Sequence, residues 1–196
     1  MPQSAAIDTI KAAVRREAIA RRDAIPAEER AAAAQAIAAR AFPIPVPPGV
    51  IVSGFIPLNN EIDVRPLLRK LSQTGAKLAL PVVVARGEPL IMRDWELGAP
   101  LKAGGWGISE PPPHAPEVLP DILLVPLLAF DRTGNRIGYG AGYFDVTISS
   151  LRAQKPVTAI GVAFAPQEIA QVPITPRDAP LDMVLTEREV IDMRPA

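Results

Sequence analysis

The 196-residue chain carries 21 Lys plus Arg, 21 Asp plus Glu, one His and no Cys. Disulfides, thiolate chemistry and a His-rich metal centre are therefore excluded, and the balanced charge offers no basic surplus for nucleic acid. No apolar run reaches the roughly 18 residues of a membrane span and no secretory signal opens the chain, so a soluble, cytoplasmic, single-domain protein is expected at this length.

The spacing of Ile7, Ile10 and Val14 predicts a helix over 5–23 with Ser4 as its cap. A second helix is predicted from Pro26, which suits a first helical position, to about Arg40, with Glu28 and Glu29 in its first turn. The prolines from Pro43 to Pro48 then break the chain. The run 50–55 reads as a buried strand, followed by a polar loop holding Asn59, Asn60, Glu61 and Asp63. A helix over 64–74 and a strand over 77–84 come next. Residues 90–95 read as an edge strand, because polar residues interrupt them. Residues 97–120 are loop-rich. Ile122 to Pro126 is the most apolar strand, and a long loop leads from it to the glycines at 138–142. A helix over 143–152, a strand over 157–164, a helical turn near 166–171 and a short strand over 183–186 complete the series. Continuous apolar strands alternating with helices imply an α/β fold, a mostly parallel sheet covered on both faces.

The densest chemical signal runs from Asp131 to Asp145. Gly138, Gly140 and Gly142 let the backbone approach a ligand closely, and the helix start just beyond them adds partial positive charge. Arg132 and Arg136 add permanent charge, so the run could cradle a polyphosphate. Asp145 could then meet a Mg²⁺ ion bridging the phosphates. The same run also reads as an ordinary glycine-rich turn before a helix. It is neither a Walker motif nor a dinucleotide fingerprint, since the glycines begin some way past the strand tip. Lys11 and Arg15, four apart on a helix, project side by side and could clamp an anion; a solvated basic face is the plainer reading. Glu61, in a loop after a strand, could accept hydrogen bonds from an amino-bearing ligand, or be a solvated acid. Trp106, between glycines, could stack on a flat heterocycle or pack its loop. Asp182 could be a second acidic metal partner or a turn residue. His114, in a proline run, reads as a loop residue.

Taken in order, these pieces resemble the 5-formyltetrahydrofolate cyclo-ligase family. The resemblance covers nearly the whole chain. It rests on Lys11 and Arg15 in the opening helix, the segment Phe55 to Asp63, Pro81-Val82-Val83, and the loop from Trp106 to Pro111. Its most specific part comprises Pro126, Phe130-Asp131, Gly134, Arg136, Gly138, Gly140, Gly142 and Tyr143-Phe144-Asp145. Gly161 to Phe164, Gln167, Val172-Pro173, Asp178 and Leu181 to Glu187 follow. Two departures stand out. Phe144 replaces a family Tyr, and Tyr139 and Ala141 stand where some members carry Arg and Lys.

The resemblance implies a three-layer α/β fold like that of the sugar-phosphate isomerase and CoA-transferase group. It also implies Mg²⁺- and ATP-dependent closure of 5-formyltetrahydrofolate to 5,10-methenyltetrahydrofolate, by a monomer acting on small molecules. Its implied ATP site is Lys11, Arg15, Arg136, Ile137, Gly138, Tyr139, Gly140, Ala141, Gly142, Tyr143 and Phe144, with Arg136 and Tyr143 catalytic. Ile56, Glu61, Trp106 and residues 138–142 are implied for the folate, Glu61 gripping the pterin. Asp145 and Asp182 are implied for Mg²⁺. Another ATP-using ligase or kinase on the same scaffold, and a non-catalytic nucleotide- or folate-binding module, are the competing readings.

Overall fold

The computed structural model describes the backbone of residues 2–195, and the side chains of residues 6–195 apart from Trp106. Two helices open the chain, α1 (Pro2–Asp23) and α2 (Ala27–Ala39). Ser4 lies inside α1 and so is not its cap. Pro26 stands one residue outside α2, as its N-cap, with Glu28 and Glu29 in the first turn.

Strand β1 (Ile51–Ser53) leads into α3 (Arg65–Gln73) and then β2 (Lys77–Val82), which pairs parallel with β1. Strand β3 (Ile91–Asp94) turns back antiparallel on β2. The loop-rich stretch holds a small hairpin of β4 (Lys102–Ala103) and β5 (Ser109–Glu110), then β6 (Glu117–Val118). Because β6 pairs outside β3, the interrupted strand is next to the edge rather than at it.

Strand β7 (Ile122–Pro126) follows, with four of its five residues fully buried. The expected long loop after it is partly ordered. It forms a hairpin of β8 (Ala129–Phe130) and β9 (Arg136–Ile137), with residues 131–135 as its turn. Helix α4 (Tyr143–Arg152) starts where the sequence predicts. Strands β10 (Thr158–Val162), β11 (Met183–Leu185) and β12 (Val190–Asp192) end the fold. Sequence reading missed β12, a three-residue antiparallel edge.

The main sheet runs β12-β11-β10-β7-β1-β2-β3-β6, with the five central strands parallel and antiparallel strands at both edges. Leu67, Leu68 and Leu71 of α3 and Ala33, Ala34 and Ile37 of α2 cover one face. Ile148 and Leu151 of α4 cover the other. This is the three-layer, mostly parallel architecture that the apolar runs imply. Helix α1 lies apart from both layers: Val14, Ala18 and Ile19 pack with Leu128, Ala129 and Ile137 around the β8–β9 hairpin.

Strand order fixes where ligands go. From β1 the chain moves one way, through α3 to β2; from β7 it moves the other way, through α4 to β10. β1 and β7 are neighbours, so their outgoing loops diverge and leave a crevice beyond the strand ends, the usual ligand position in open α/β sheets. The loop bearing Glu61 leaves β1, and the hairpin and glycine run leave β7.

Candidate functional site

The opening helix supplies cations along one face. Lys11, Arg15, Ala18 and Arg22 fall within about 60° of one another around the helix axis. Lys11 and Arg22 are 6% and 1% exposed, unusual for residue types that normally stay in water. Ala18 is the small apolar residue of this stripe and anchors it to the hairpin core.

The stripe meets the glycine run. The Arg15 Nε donates to the Gly138 carbonyl at 3.0 Å. Its guanidinium lies so close over Gly140 that a Cβ there would stand 3.2 Å from Cζ. Gly140 and Gly142 also have φ of 104° and 74°, which an L side chain rarely adopts. Gly142 is the N-cap of α4 and brings no side chain to the first helical N–H groups, leaving that end suited to an anion. Lys11 ion-pairs with Asp178. Asp178 also accepts the Thr175 backbone N–H at 2.6 Å, so the lysine is held in place from the opposite loop.

The crevice continues to the β1 loop. Ile56 is half-buried against the α2–α3 core. Leu58 donates its N–H to Glu61 Oε2 at 2.8 Å, while Glu61 donates its own N–H back to the Leu58 carbonyl. Burial pushes the Glu61 carboxyl up; the Leu58 N–H, the charge of Arg22 and the Tyr139 hydroxyl pull the other way. Tyr139 is the middle of this contact. Arg22 Nη1 donates to its hydroxyl at 2.6 Å, and the guanidinium carbon lies 5.8 Å from the ring centroid. The Asn59 side chain also hydrogen-bonds that hydroxyl.

Several expected roles change. Arg136 is engaged by the protein itself. It lies in β9, 8% exposed, with Nη1 on the Ala179 carbonyl and Nη2 on Asp145 Oδ1 at 2.9 Å. Nη1 thus braces the loop at 179 directly, and Nη2 does so through Asp145, which accepts the Ala179 N–H. Arg132 sits in the exposed hairpin turn and pairs with Glu168 at 2.7 Å and Glu189 at 2.6 Å. Ile137 is buried in the hairpin core. Tyr143 and Phe144 are half-buried against the α4 face of the sheet. Ala141 is exposed on the glycine loop. The expected stacking by Trp106 falls on a side chain outside the described residues.

Asp145 and Asp182 are each engaged by other groups of the protein. Asp145 Oδ1, in the first turn of α4, accepts from Arg136 and from the Ala179 N–H at 3.0 Å. Asp182 Oδ2 accepts from Arg152 at 2.8 Å and from the Ala159 N–H at 2.7 Å. Arg152 ends α4, seven residues beyond Asp145, or about 10 Å along the axis. Each acid is thus paired with an arginine and a backbone N–H, partners that a Mg²⁺ ion would have to displace at these oxygens. Among the described residues no cluster of three or more His, Cys, Asp or Glu gathers around a metal-sized space.

Two buried residues of the signature prove to be braces. Asp131, 2% exposed, accepts the Thr133 hydroxyl at 2.7 Å and N–H groups of Thr133 at 2.9 Å, Asn135 at 3.2 Å and Val172 at 2.9 Å. Gln167 donates to the Leu127 and Leu128 carbonyls and accepts the Phe164 N–H at 2.8 Å. Both fix the path by which the chain leaves β7.

Sequence reasoning missed Arg22 and Asn59. Arg22 continues the stripe of Lys11 and Arg15, a signal that was readable; its place in the Arg21-Arg22 pair at the helix end disguises it as ordinary last-turn charge. Asn59 has φ of 52°, which only the folded loop reveals.

The profile of the 5-formyltetrahydrofolate cyclo-ligase family matches residues 7–187. The 5-formyltetrahydrofolate cyclo-ligase of Escherichia coli is 30% identical over 177 residues, covering 87% of this chain and 96% of that protein. The enzyme of the same name from Mycolicibacterium smegmatis is 35% identical over 155 residues, covering 74% and 78%. The solved structure of Aquifex aeolicus 5,10-methenyltetrahydrofolate synthetase superposes with a TM-score of 0.77 at 27% identity, over 95% of this chain and 94% of that one.

Proposed function

The chain belongs to the 5-formyltetrahydrofolate cyclo-ligase family, and on that ground we propose that it closes 5-formyltetrahydrofolate to 5,10-methenyltetrahydrofolate, with ATP converted to ADP and phosphate. One observation supports this most directly. A cation-bearing helix face and a glycine loop meet at the same crevice as a carboxylate loop. The first pair suits a polyphosphate, and the carboxylate suits a ring bearing amino and N–H groups.

The chemistry needs such a pairing. A formamide oxygen is a poor leaving group. Its attack on the γ-phosphorus releases ADP and leaves an iminium phosphate. The substrate's N10 then adds to the formyl carbon, loses its proton, and expels inorganic phosphate with the formyl oxygen. Both steps require positioning and charge stabilisation rather than a protein nucleophile, which agrees with a chain lacking Cys and holding one His.

In this reading Lys11, Arg15 and the backbone of Gly138 to Gly142 hold the phosphates, and Ile56 and Glu61 hold the pterin. Tyr139 stands between the two. Tyr143 and Phe144 set the start of α4, and Arg136 acts by holding Asp145 and the loop at 179. Magnesium belongs to the reading as the ion that ATP brings, with phosphate oxygens as its main ligands; no step is assigned to Asp145 and Asp182 as a metal pair. The reading also carries a cytoplasmic monomer.

The test is to mix purified protein with 5-formyltetrahydrofolate and Mg-ATP and follow the near-ultraviolet absorbance of the methenyl product. A rise that needs both ATP and Mg²⁺ is expected. No rise, with folded protein that binds ATP, would leave a nucleotide site and remove the folate.

A further inference from the structure

We propose that Arg22 is a positioning residue that acts on Glu61 through Tyr139, and so ties the carboxylate that meets the folate to the loop that meets the nucleotide. This rests on the folate reading of Glu61. It goes beyond that reading in naming a residue outside either ligand's expected shell.

Arg22 is 1% exposed, the largest of the fully buried side chains. A guanidinium so placed is costly unless its donors are satisfied. Two of them, Nε and Nη2, go to Asp23 Oδ1 at 3.1 and 3.0 Å. Nη1 goes to the Tyr139 hydroxyl at 2.6 Å. Tyr139 is itself 45% exposed, so a buried cation holds the tip of a side chain whose ring remains open to the crevice. That hydroxyl also faces Asn59 and Glu61.

The contacts tie three distant segments. Asp23, whose other charged neighbour is Arg30 of α2, also lies beside the Asn60 side chain. The β1 loop is thus attached to the end of α1 at Asn60 and to Tyr139 at Asn59 and Glu61. Asn59 holds a left-handed φ of 52°, a conformation Asn tolerates better than most residues and one that persists where surroundings enforce it. The groups facing the Glu61 carboxyl are Arg22 of α1, Tyr139 of the glycine loop and the Leu58 N–H of its own loop. Burial alone would drive this carboxyl toward its neutral form. The net direction is upward, and the Leu58 N–H, the Arg22 charge and the Tyr139 hydroxyl limit the rise, each favouring the ionised form that can accept from a pterin N–H group.

The same geometry gives the glycine loop a second tether. Arg15 holds Gly138 by its carbonyl and Arg22 holds Tyr139 by its hydroxyl, so consecutive residues are gripped from two points of one helix face, about two turns apart. A shift of Glu61 on meeting its ligand moves Tyr139, and with it the loop that meets the phosphates.

Three variants test this: Arg22→Met, Arg22→Lys and Tyr139→Phe. In ligand-free protein, ¹³C NMR of the Glu61 carboxyl, assigned through Glu61→Gln, gives its titration midpoint. The midpoint is expected to move upward in Arg22→Met and to stay near wild type in Arg22→Lys, which keeps the charge. In turnover assays the folate KM is expected to rise on the order of tenfold in Arg22→Met and Tyr139→Phe. Its rise should steepen toward acid pH in Arg22→Met only, while the ATP KM changes far less. A merely structural arginine would change neither the Glu61 midpoint nor the pH profile. Should Arg22→Met fail to fold, Tyr139→Phe and Arg22→Lys carry the test, because both leave the buried cation in place. An unchanged Glu61 midpoint in folded Arg22→Met overturns the proposal, as does an unchanged folate KM in Tyr139→Phe. A wild-type protein that turns over no folate refutes the functional reading instead, and the NMR midpoints still decide the role of Arg22.

Discussion

Replacing Arg136 by Met separates bracing from phosphate binding. The methionine keeps most of the volume and removes the charge. What remains is an Asp145 carboxylate, a quarter exposed, without its cation, and an Ala179 carbonyl without its donor. Breaking one side of a buried ion pair costs about 3–5 kcal/mol; the partial exposure of Asp145 puts this case near the lower end, about 3 kcal/mol. For a chain of this length that corresponds to a fall in Tm of about 6–12 °C. Thermal unfolding followed by circular dichroism measures it. The double variant Arg136→Met/Asp145→Asn should recover part of the loss, because it leaves no unpaired charge. Steady-state kinetics well below the new Tm should show a modest change in the ATP KM. A Tm within 2 °C of wild type, combined with a large rise in the ATP KM, would refute the bracing role and return Arg136 to the phosphates.

The conservative change Glu61→Gln is expected to raise the folate KM about tenfold or more while leaving the ATP KM near wild type, read from paired substrate titrations. Gly140→Ala imposes a side chain on φ of 104° and pushes against the Arg15 guanidinium. It should destabilise the loop by about 1–2 kcal/mol and raise the ATP KM more than the folate KM. Asp131 gives a pH dependence. Burial raises its carboxyl, but the Thr133 hydroxyl, the Val172 and Thr133 N–H groups and the Asn135 side chain outweigh this and hold it below the ordinary value. A lowered carboxyl contributes stability that is present above about pH 4 and is lost as the pH falls through its folded value. Acid unfolding of wild type should therefore be steeper than that of Asp131→Asn, which is already destabilised at neutral pH. Parallel acid-limb curves for the two proteins would remove Asp131 as a source of that dependence.

The sheet was legible because its strands are continuous apolar runs. Ile122 to Pro126 and the helix from Tyr143 to Arg152 stand where periodicity puts them, and neither depends on a distant partner for its identity. The β8–β9 hairpin was not legible. Its strands are two residues each, and their pairing is held by Asp131, whose carboxylate reaches Val172 across a loop distant in sequence. That hidden pairing also conceals the partners of Arg136: the sequence shows its charge but not the Ala179 carbonyl and the Asp145 carboxylate that take up two of its nitrogens. For the candidate site, Lys11, Arg15, Glu61 and the glycine run do lie around one crevice. That Asp145 and Asp182 each carry an arginine and a backbone N–H was not legible, because those partners come from distant segments. Arg22 was readable from helical spacing, but its burial was not, since that depends on where Tyr139 and the β1 loop come to rest.

Helix α1 carries the cations of the crevice yet contributes to neither large core of the sheet; its apolar anchors are confined to the small cluster around the hairpin. Ligand handling and mechanical strength are therefore housed in different parts of the molecule. Detachment of α1 would remove Lys11, Arg15 and Arg22 together while the eight strands remained paired. On warming, catalysis should fade over a gradual pretransition, ahead of the cooperative melting of the sheet, and in a Trp106→Phe background the fluorescence of Trp95, buried in the α2–α3 core, should report only the later event.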